Sequence, residues 1–219
     1  SKFTKALYID LLAMLFEILA KVRKEGLMSI EADVEDPHAS PIFGKYPTLQ
    51  NDHHVMEFIT DYLRMMVGGN LNTVEIESLM DMEIETHHHE VEVPGHVVSK
   101  VADGVPAFGI VVAVMGVVNV MGSVGQPPAV LGKMIGGALV GTFLGILISY
   151  GFVAPVASLL EQKSHESSKI YQCIKVVLLA SMSGYAPQVA VEFGRKVLES
   201  GVRPSFRELE EELKARKGK

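Results

Sequence analysis

The stretch VPAFGIVVAVMGVVNVMGSVGQPPAVLGKMIGGALVGTFLGILISYGFVAPVA, residues 105–157, decides the fold of this chain. Lys133 is the only charged side chain between Asp103 and Glu161. Two apolar runs flank a turn that is rich in glycine and proline, one at residues 105–121 and one at 134–154. Each run approaches the ~20 residues that a helix needs to cross a bilayer core. The pattern predicts two transmembrane helices that form a hairpin.

A buried helix pair in a soluble helical bundle is the alternative to a membrane hairpin. Soluble helices usually keep a polar stripe that faces water, and neither run has one. Gly137, Gly141 and Gly145 recur at every fourth position of the second run. This spacing lets helix backbones approach closely in lipid. The membrane hairpin is therefore favoured, and these three glycines are its predicted packing residues.

The basic residues predict how the hairpin is oriented. Eight of the 20 Lys and Arg residues precede Asp103 and eleven follow Glu161. The positive-inside rule then places both flanks in the cytoplasm. The predicted fold is all-α, with a cytoplasmic helical domain built from both flanks. In segments, this gives cytoplasmic residues 1–104, a transmembrane helix at 105–122, a periplasmic turn at 123–133, a transmembrane helix at 134–155 and cytoplasmic residues 156–219.

The flanks carry ordinary helix start and stop signals. Residues 1–24 have the pattern of an amphipathic helix that stops at Gly26. Asn72 or the next residue caps a helix that runs into Glu85. The sequence SFRE at residues 205–208 is a capping box that opens a charged terminal helix.

The composition bears on the cellular compartment of the protein and on the class of molecule that it binds. The 219 residues are 48% hydrophobic and carry a formal net charge of −6, which disfavours nucleic acid as a partner. The single cysteine, Cys173, excludes an internal disulfide and fits a reducing cytoplasm.

Motifs for enzyme chemistry and for metal binding are weak or missing. The nucleophile-elbow, phosphate-loop and zinc-protease patterns are absent from the sequence. The run HHHE at residues 87–90 invites a metal site, but adjacent side chains on a helix point about 100° apart and cannot converge on one ion. We expect no metal site and no enzyme activity, and we interpret this run as a solvated helix face.

Thr142 is one of the few polar residues within the apolar stretch. Its hydroxyl either bonds a carbonyl of its own helix or lines a path for water or an ion. No carboxylate lies within the stretch. If the chain helps to move a cation, the titrating acid must come from another chain.

The chain resembles the MotA/TolQ/ExbB proton channel family, and within it the MotA-type stator proteins of the bacterial flagellar motor. The segments that carry the resemblance are SKFTKA at 1–6, EIESLMDMEIE at 75–85, DGVPAFG at 103–109, GTFLGILISYGFVAP at 141–155, GYAP at 184–187, AVEFGRK at 190–196 and RPSF at 203–206. They are spread over almost the whole chain.

The resemblance implies an inner-membrane subunit that forms a pentamer around a dimer of MotB. Ion flow would produce torque on the rotor protein FliG, and an aspartate of MotB would carry the ion. Membrane lipid would surround the assembly. The two apolar runs match the third and fourth membrane helices of the family, so two upstream helices would be missing from this chain.

The resemblance also assigns roles to individual residues. Pro106 and Pro155 match the two prolines at the cytoplasmic ends of those helices. Thr142 matches the hydroxyl that faces the ion route, while sodium-driven relatives carry a threonine where this chain has Ala113. The implied ion is therefore a proton, with no cofactor. A further pair of charged residues matches the loop that contacts FliG: Arg23 and Glu31.

Two other functions stay open at the level of sequence. One is an energy-transducing channel subunit of the ExbB or TolQ type, and the other is a membrane scaffold without ion coupling. The long acidic segment that precedes the hairpin, together with Arg23, favours the motor protein.

Overall fold

Every regular element in the part of the chain that the structure describes is helical. The computed structural model describes residues 2–69 and 72–217. Its helices are α1 (Lys5–Glu25), α2 (Glu31–Glu35), α3 (Pro47–Gln50), α4 (His53–Gly68), α5 (Thr73–Met121), α6 (Pro128–Ile148), a π segment (Ser149–Val153), α7 (Ala154–Met182), α8 (Pro187–Val197) and α9 (Phe206–Lys217), with 3-10 turns at Leu27–Ile30 and Phe43–Lys45. The all-α class predicted from the sequence is confirmed.

The chain divides into two compact units. One is made of Ser1–His87 with Glu166–Lys219, and the other is His88–His165. The first unit is a helical body built from both ends of the chain, as predicted. The second contains the apolar hairpin together with the helix turns next to it.

Helix α1 lies at the centre of the first unit. Six consecutive residues, 11–16, are buried, so α1 has no solvent-facing stripe over this stretch. Helices α3, α8 and α9 all pack against it. The predicted amphipathic helix with its stop at Gly26 is confirmed, because most of its apolar residues are buried while its charged residues are half-buried or exposed.

Close packing around α1 depends on Gly194 of α8. A Cβ atom at Gly194 would lie 2.5 Å from Val177 Cγ2 and 2.9 Å from Leu12 Cδ2. Cys173 is fully buried beside them, and burial raises the pKa of its thiol to about 12. The thiol therefore stays protonated and unreactive at neutral pH.

The predicted capping signals form at several helix ends. Gly26 ends α1 with a φ of 88°, a conformation that favours glycine. The Asn72 side chain accepts hydrogen bonds from the backbone N–H groups of Val74 and Glu75. The Ser205 N–H donates to Glu208 at 2.6 Å, and the Glu208 N–H donates to the Ser205 hydroxyl at 3.2 Å, which confirms the capping box.

Helix α5 is longer than the sequence pattern predicted. It runs without interruption over 49 residues and contains Pro94 and Pro106, whereas the sequence analysis predicted a helix into Glu85 and a separate one from residue 105. The turn of the hairpin is correspondingly shorter than the predicted 123–133, since α6 begins at Pro128. Proline is favoured at a first helical position, where no backbone donor is needed.

Small residues of both helices bring α5 and α6 close together. A Cβ atom at Gly109 would lie 2.8 Å from the Gly141 carbonyl oxygen, and one at Gly116 would lie 2.4 Å from Ala138 Cβ. A Cβ atom at Gly145 would lie 3.1 Å from the Val105 carbonyl oxygen. The packing face of α6 therefore runs through Ala138, Gly141 and Gly145.

Gly137 does not belong to this face. A Cβ atom at Gly137 would meet nothing within 4 Å. Residues three and four positions apart lie on the same face of a helix, so Ala138, Gly141 and Gly145 share one face and Gly137 does not. Gly109 and Gly116 were not predicted as packing residues, because the glycine spacing of the second run does not reveal its partners on the first.

The outer surface of the hairpin is apolar and exposed. Only 17% of the most apolar 18-residue window is buried in each of the two long helices, Thr73–Met121 and Pro128–Met182. Phe108, Met115 and Phe143 are 74%, 68% and 62% exposed. A core helix of a soluble protein would be mostly covered, so this burial pattern favours the membrane hairpin over the soluble bundle.

We predict that Gly116→Ala weakens the hairpin. The new methyl group would meet Ala138 Cβ, which is fixed to the backbone, so the helices must separate at a cost of about 1–3 kcal/mol. The thermal midpoint of the purified protein in detergent should fall. Adding Ala138→Gly should restore part of the loss, because the Ala138 Cα atom would still lie 3.0 Å away.

Gly136→Ala is the matched control for this substitution. Nothing lies within 4 Å of a Cβ atom at Gly136, and alanine is the better helix former. Its midpoint should not fall. An equal loss in Gly116→Ala and Gly136→Ala would show that the close contact does not limit stability.

Candidate functional site

Thr142 lies at the interface between α5 and α6. Its hydroxyl is 3.4 Å from the carbonyl oxygen of Gly109, at the outer limit of a hydrogen bond, and the residue is half-buried. The hydroxyl therefore reaches the neighbouring helix, and the bond described for it is to α5 and not to its own helix. Ala113, also half-buried, lies four residues after Gly109 and shares its helix face.

The two prolines mark points where the helical hydrogen bonding changes. Pro106 is half-buried in α5, and Pro155 is exposed at the second position of α7. Between α6 and α7 lies the π segment, in which the Ala154 N–H donates to the Ser149 carbonyl. Single π turns inside α-helices occur frequently at functional sites.

Ser149 contributes its side chain to the same region. It is fully buried, and its hydroxyl donates to the carbonyl oxygen of Ala102 at 2.5 Å. The sequence assigned no role to Ser149. Its partner lies 47 positions away, so no local pattern could have identified the pair.

Arg23 and Glu31 lie at the surface of the first unit. Both side chains are exposed, with Arg23 in the last turn of α1 and Glu31 at the start of α2. Within residues 2–69 and 72–217, neither makes an ion pair shorter than 4.0 Å. Both charges are therefore available to a partner.

An ion pair that the sequence analysis missed fixes the segment between these two residues. The Lys21 ammonium lies 2.7 Å from Asp33, and the Ser40 hydroxyl donates to the same carboxylate at 2.6 Å. The Asp33 side chain is only 3% exposed. Lys21 precedes Arg23 by two residues and Asp33 follows Glu31 by two, so this pair holds both ends of the segment.

The histidine run contacts one side chain of its own helix and one of α7. The His87 ring packs on Tyr171 with centroids 4.6 Å apart, and His88 Nε2 lies 3.1 Å from Glu92. Among the residues that the structure describes, no three His, Cys, Asp or Glu side chains are arranged to hold a metal ion.

Comparison with known sequences decides the family. The family model of the MotA/TolQ/ExbB proton channel family matches residues 50–173. Motility protein A of Escherichia coli K12 is 56% identical over 215 residues, which cover 98% of this chain and 73% of that protein. The chain belongs to the MotA/TolQ/ExbB proton channel family. Membership of this family, together with the two exposed apolar helices, identifies it as a membrane protein.

Further proteins are similar to this chain in sequence or in fold. Chemotaxis protein LafT of Vibrio parahaemolyticus is 31% identical over 211 residues, covering 96% of this chain and 74% of that protein. The structure of C. jejuni MotAB matches with a TM-score of 0.69 at 20% identity, over 86% of this chain and 67% of that one. The flagellar MotAB stator complex of Bacillus subtilis matches with a TM-score of 0.65 at 26% identity, over 83% and 64%.

We predict that Asp33→Ala loosens the segment between α1 and α2. The substitution leaves the Lys21 charge and the Ser40 hydroxyl without their acceptor. The protein should lose about 2–3 kcal/mol of stability, a value below that of a fully buried pair because Lys21 is 29% exposed. Amide hydrogen exchange at residues 27–31 should accelerate.

Glu25→Ala is the control for Asp33→Ala. Glu25 is exposed and lies 3.8 Å from Lys24, so its loss should change stability by less than about 0.5 kcal/mol. If exchange at residues 27–31 is unchanged in Asp33→Ala, the ion pair does not position this segment.

Proposed function

We propose that this chain is a stator subunit of the bacterial flagellar motor that works together with MotB. The observation that carries the proposal is the 56% identity to Motility protein A of E. coli over 98% of the chain. The fold of the MotAB complexes supports it further. In this role the protein moves ions and transmits force, and it catalyses no chemical reaction.

The acid-free hairpin agrees with a function that needs a second protein. No carboxylate lies between Asp103 and Glu161, so the hairpin has no group of its own that could bind and release a proton within the membrane. A membrane aspartate of MotB would supply it. The hairpin would then form the wall of the ion route, with Thr142 and Ala113 on its α5–α6 face.

The proposed ion is a proton. A sodium ion must replace its lost water with several oxygen ligands, whereas a proton needs an acid and a chain of water molecules. Ala113 contributes a methyl group where a second hydroxyl would stand, and the Thr142 hydroxyl is already 3.4 Å from the Gly109 carbonyl. This wall offers few free oxygen ligands to sodium.

We predict that full-length protein produced with its own MotB restores swimming to a stator-deficient strain. Swimming should persist without sodium and should stop when a protonophore collapses the proton gradient. The measurement is swimming speed in media of defined sodium content. Speed that follows external sodium and survives the protonophore would contradict proton coupling.

The charged surface at the end of α1 is the proposed contact with the rotor protein FliG. Arg23 and Glu31 are exposed, and the Lys21–Asp33 pair holds the segment between them in place. An exposed ion pair contributes only about 0–1 kcal/mol. This range suits a contact that forms and breaks at every step of a rotor.

This contact requires a defined arrangement in the cell. Both flanks would lie in the cytoplasm, and the turn at residues 122–127 would lie outside the inner membrane. Five copies would surround a MotB dimer, with lipid against the exposed apolar face. The first unit of each copy could then face the rotor.

We predict that Arg23→Glu impairs torque while leaving protein level and membrane insertion unchanged. Arg23 is exposed and unpaired among the described residues, so reversal of its charge should not disturb the fold. Torque is measured on tethered or bead-loaded flagella. A charge reversal on FliG should restore it.

Lys24→Glu provides a matched control, because Lys24 is the next residue and its side chain is 82% exposed. It should keep most of the torque if the contact is specific to Arg23. A fall in protein level in Arg23→Glu would instead assign Arg23 a structural role at the helix end.

A further inference from the structure

Each of the two prolines removes a backbone donor from the helices of the hairpin. In an α-helix the N–H of residue i donates to the carbonyl of residue i−4. Pro106 has no N–H, so the Ala102 carbonyl loses its usual partner inside α5. Pro155 likewise has no N–H to donate to the π segment that precedes it.

The Ser149 hydroxyl takes the place of the donor that Pro106 lacks. It donates to the Ala102 carbonyl at 2.5 Å, while Ser149 is fully buried and Ala102 is 5% exposed. A buried carbonyl without a donor lowers the stability of the fold, so this bond supplies the donor that the Ala102 carbonyl needs. The bond joins α5 to the π segment, and both bonded residues lie within the second unit, His88–His165.

The backbone hydrogen bonds change from the α to the π pattern at Ser149, six residues before Pro155. The Ser149 N–H donates to the Gly145 and Ile146 carbonyls, and its carbonyl accepts the Ala154 N–H across five residues. Ser149 is thus the residue at which α6 passes into the π segment. Its side chain bonds the carbonyl that Pro106 of α5 leaves without a donor. Its backbone begins the π segment that precedes Pro155 of α7.

We propose that Ser149 is a positioning residue that couples the proline region of α5 to the π segment before Pro155. A movement of either region then shifts the other, because Pro106 cannot supply the usual helical donor to the Ala102 carbonyl and the Ser149 hydroxyl supplies one instead. The consequence for torque rests on the proposed stator function. The hydrogen-bond substitution itself does not depend on it.

A double-mutant cycle tests the substitution directly. Ser149→Ala removes the donor to Ala102, and the thermal midpoint of the full-length protein purified with MotB should fall by about 2–6 °C. Pro106→Ala returns a backbone N–H that can bond the Ala102 carbonyl. In that background Ser149→Ala should lower the midpoint by less than half as much. Equal shifts in both backgrounds would overturn the proposal.

A torque measurement tests the coupling between the two regions. In Ser149→Ala cells the torque per stator unit should fall at least twofold while the number of units recruited to the motor is unchanged. Ser158→Ala is the control, since Ser158 is an exposed serine of α7, and it should match the parent. Unchanged torque per unit in Ser149→Ala would overturn the coupling.

The two measurements separate this proposal from the proposed function. If the parent protein fails to drive a motor with MotB, the stator function is wrong, and the midpoint cycle still decides whether Ser149 replaces the missing donor. If the parent drives the motor and the cycle is additive, the function stands and the role of Ser149 is wrong.

Discussion

The hairpin depends on one constraint, which is that a backbone carbonyl in an apolar environment must find its donor inside the protein. Most carbonyls of α5 and α6 meet this requirement through the helix itself. Pro106 breaks the pattern at Ala102, and the Ser149 hydroxyl restores it from across the interface. The π segment Ser149–Val153 therefore begins at a point where the Ser149 side chain can reach α5.

Such a bond requires that the two helices approach closely, and the small residues provide this approach. Gly109 lies against Gly141 and Gly145, with no room for a side chain on either helix. The same approach brings the Thr142 hydroxyl to 3.4 Å from the Gly109 carbonyl. Packing, the proposed ion wall and the proline regions thus share a single helix interface, so a substitution made for one of them also acts on the others.

The features predicted well from sequence are those with local causes. The apolar hairpin follows from composition, and the Gly26 stop and the SFRE cap follow from residues a few positions apart. The features missed depend on partners distant in sequence. Asp33 was not predicted to hold Lys21, and Ser149 was not predicted to serve Ala102, because only the fold brings these groups together. The packing of α8 and α9 on α1 was missed for the same reason, since both helices come from the other end of the chain.

The charged residues of the first unit show a division between fixed and available groups. Asp33 is buried and accepts from two donors, Lys21 and Ser40, so its charge is already paired within the fold. Arg23 and Glu31 lie on the same segment and remain exposed. A partner that must bind and leave repeatedly needs charges whose position is fixed but whose pairing is not already satisfied. Because Asp33 sets the position and the two exposed charges would carry the proposed interaction, stability and partner binding could change independently at neighbouring residues.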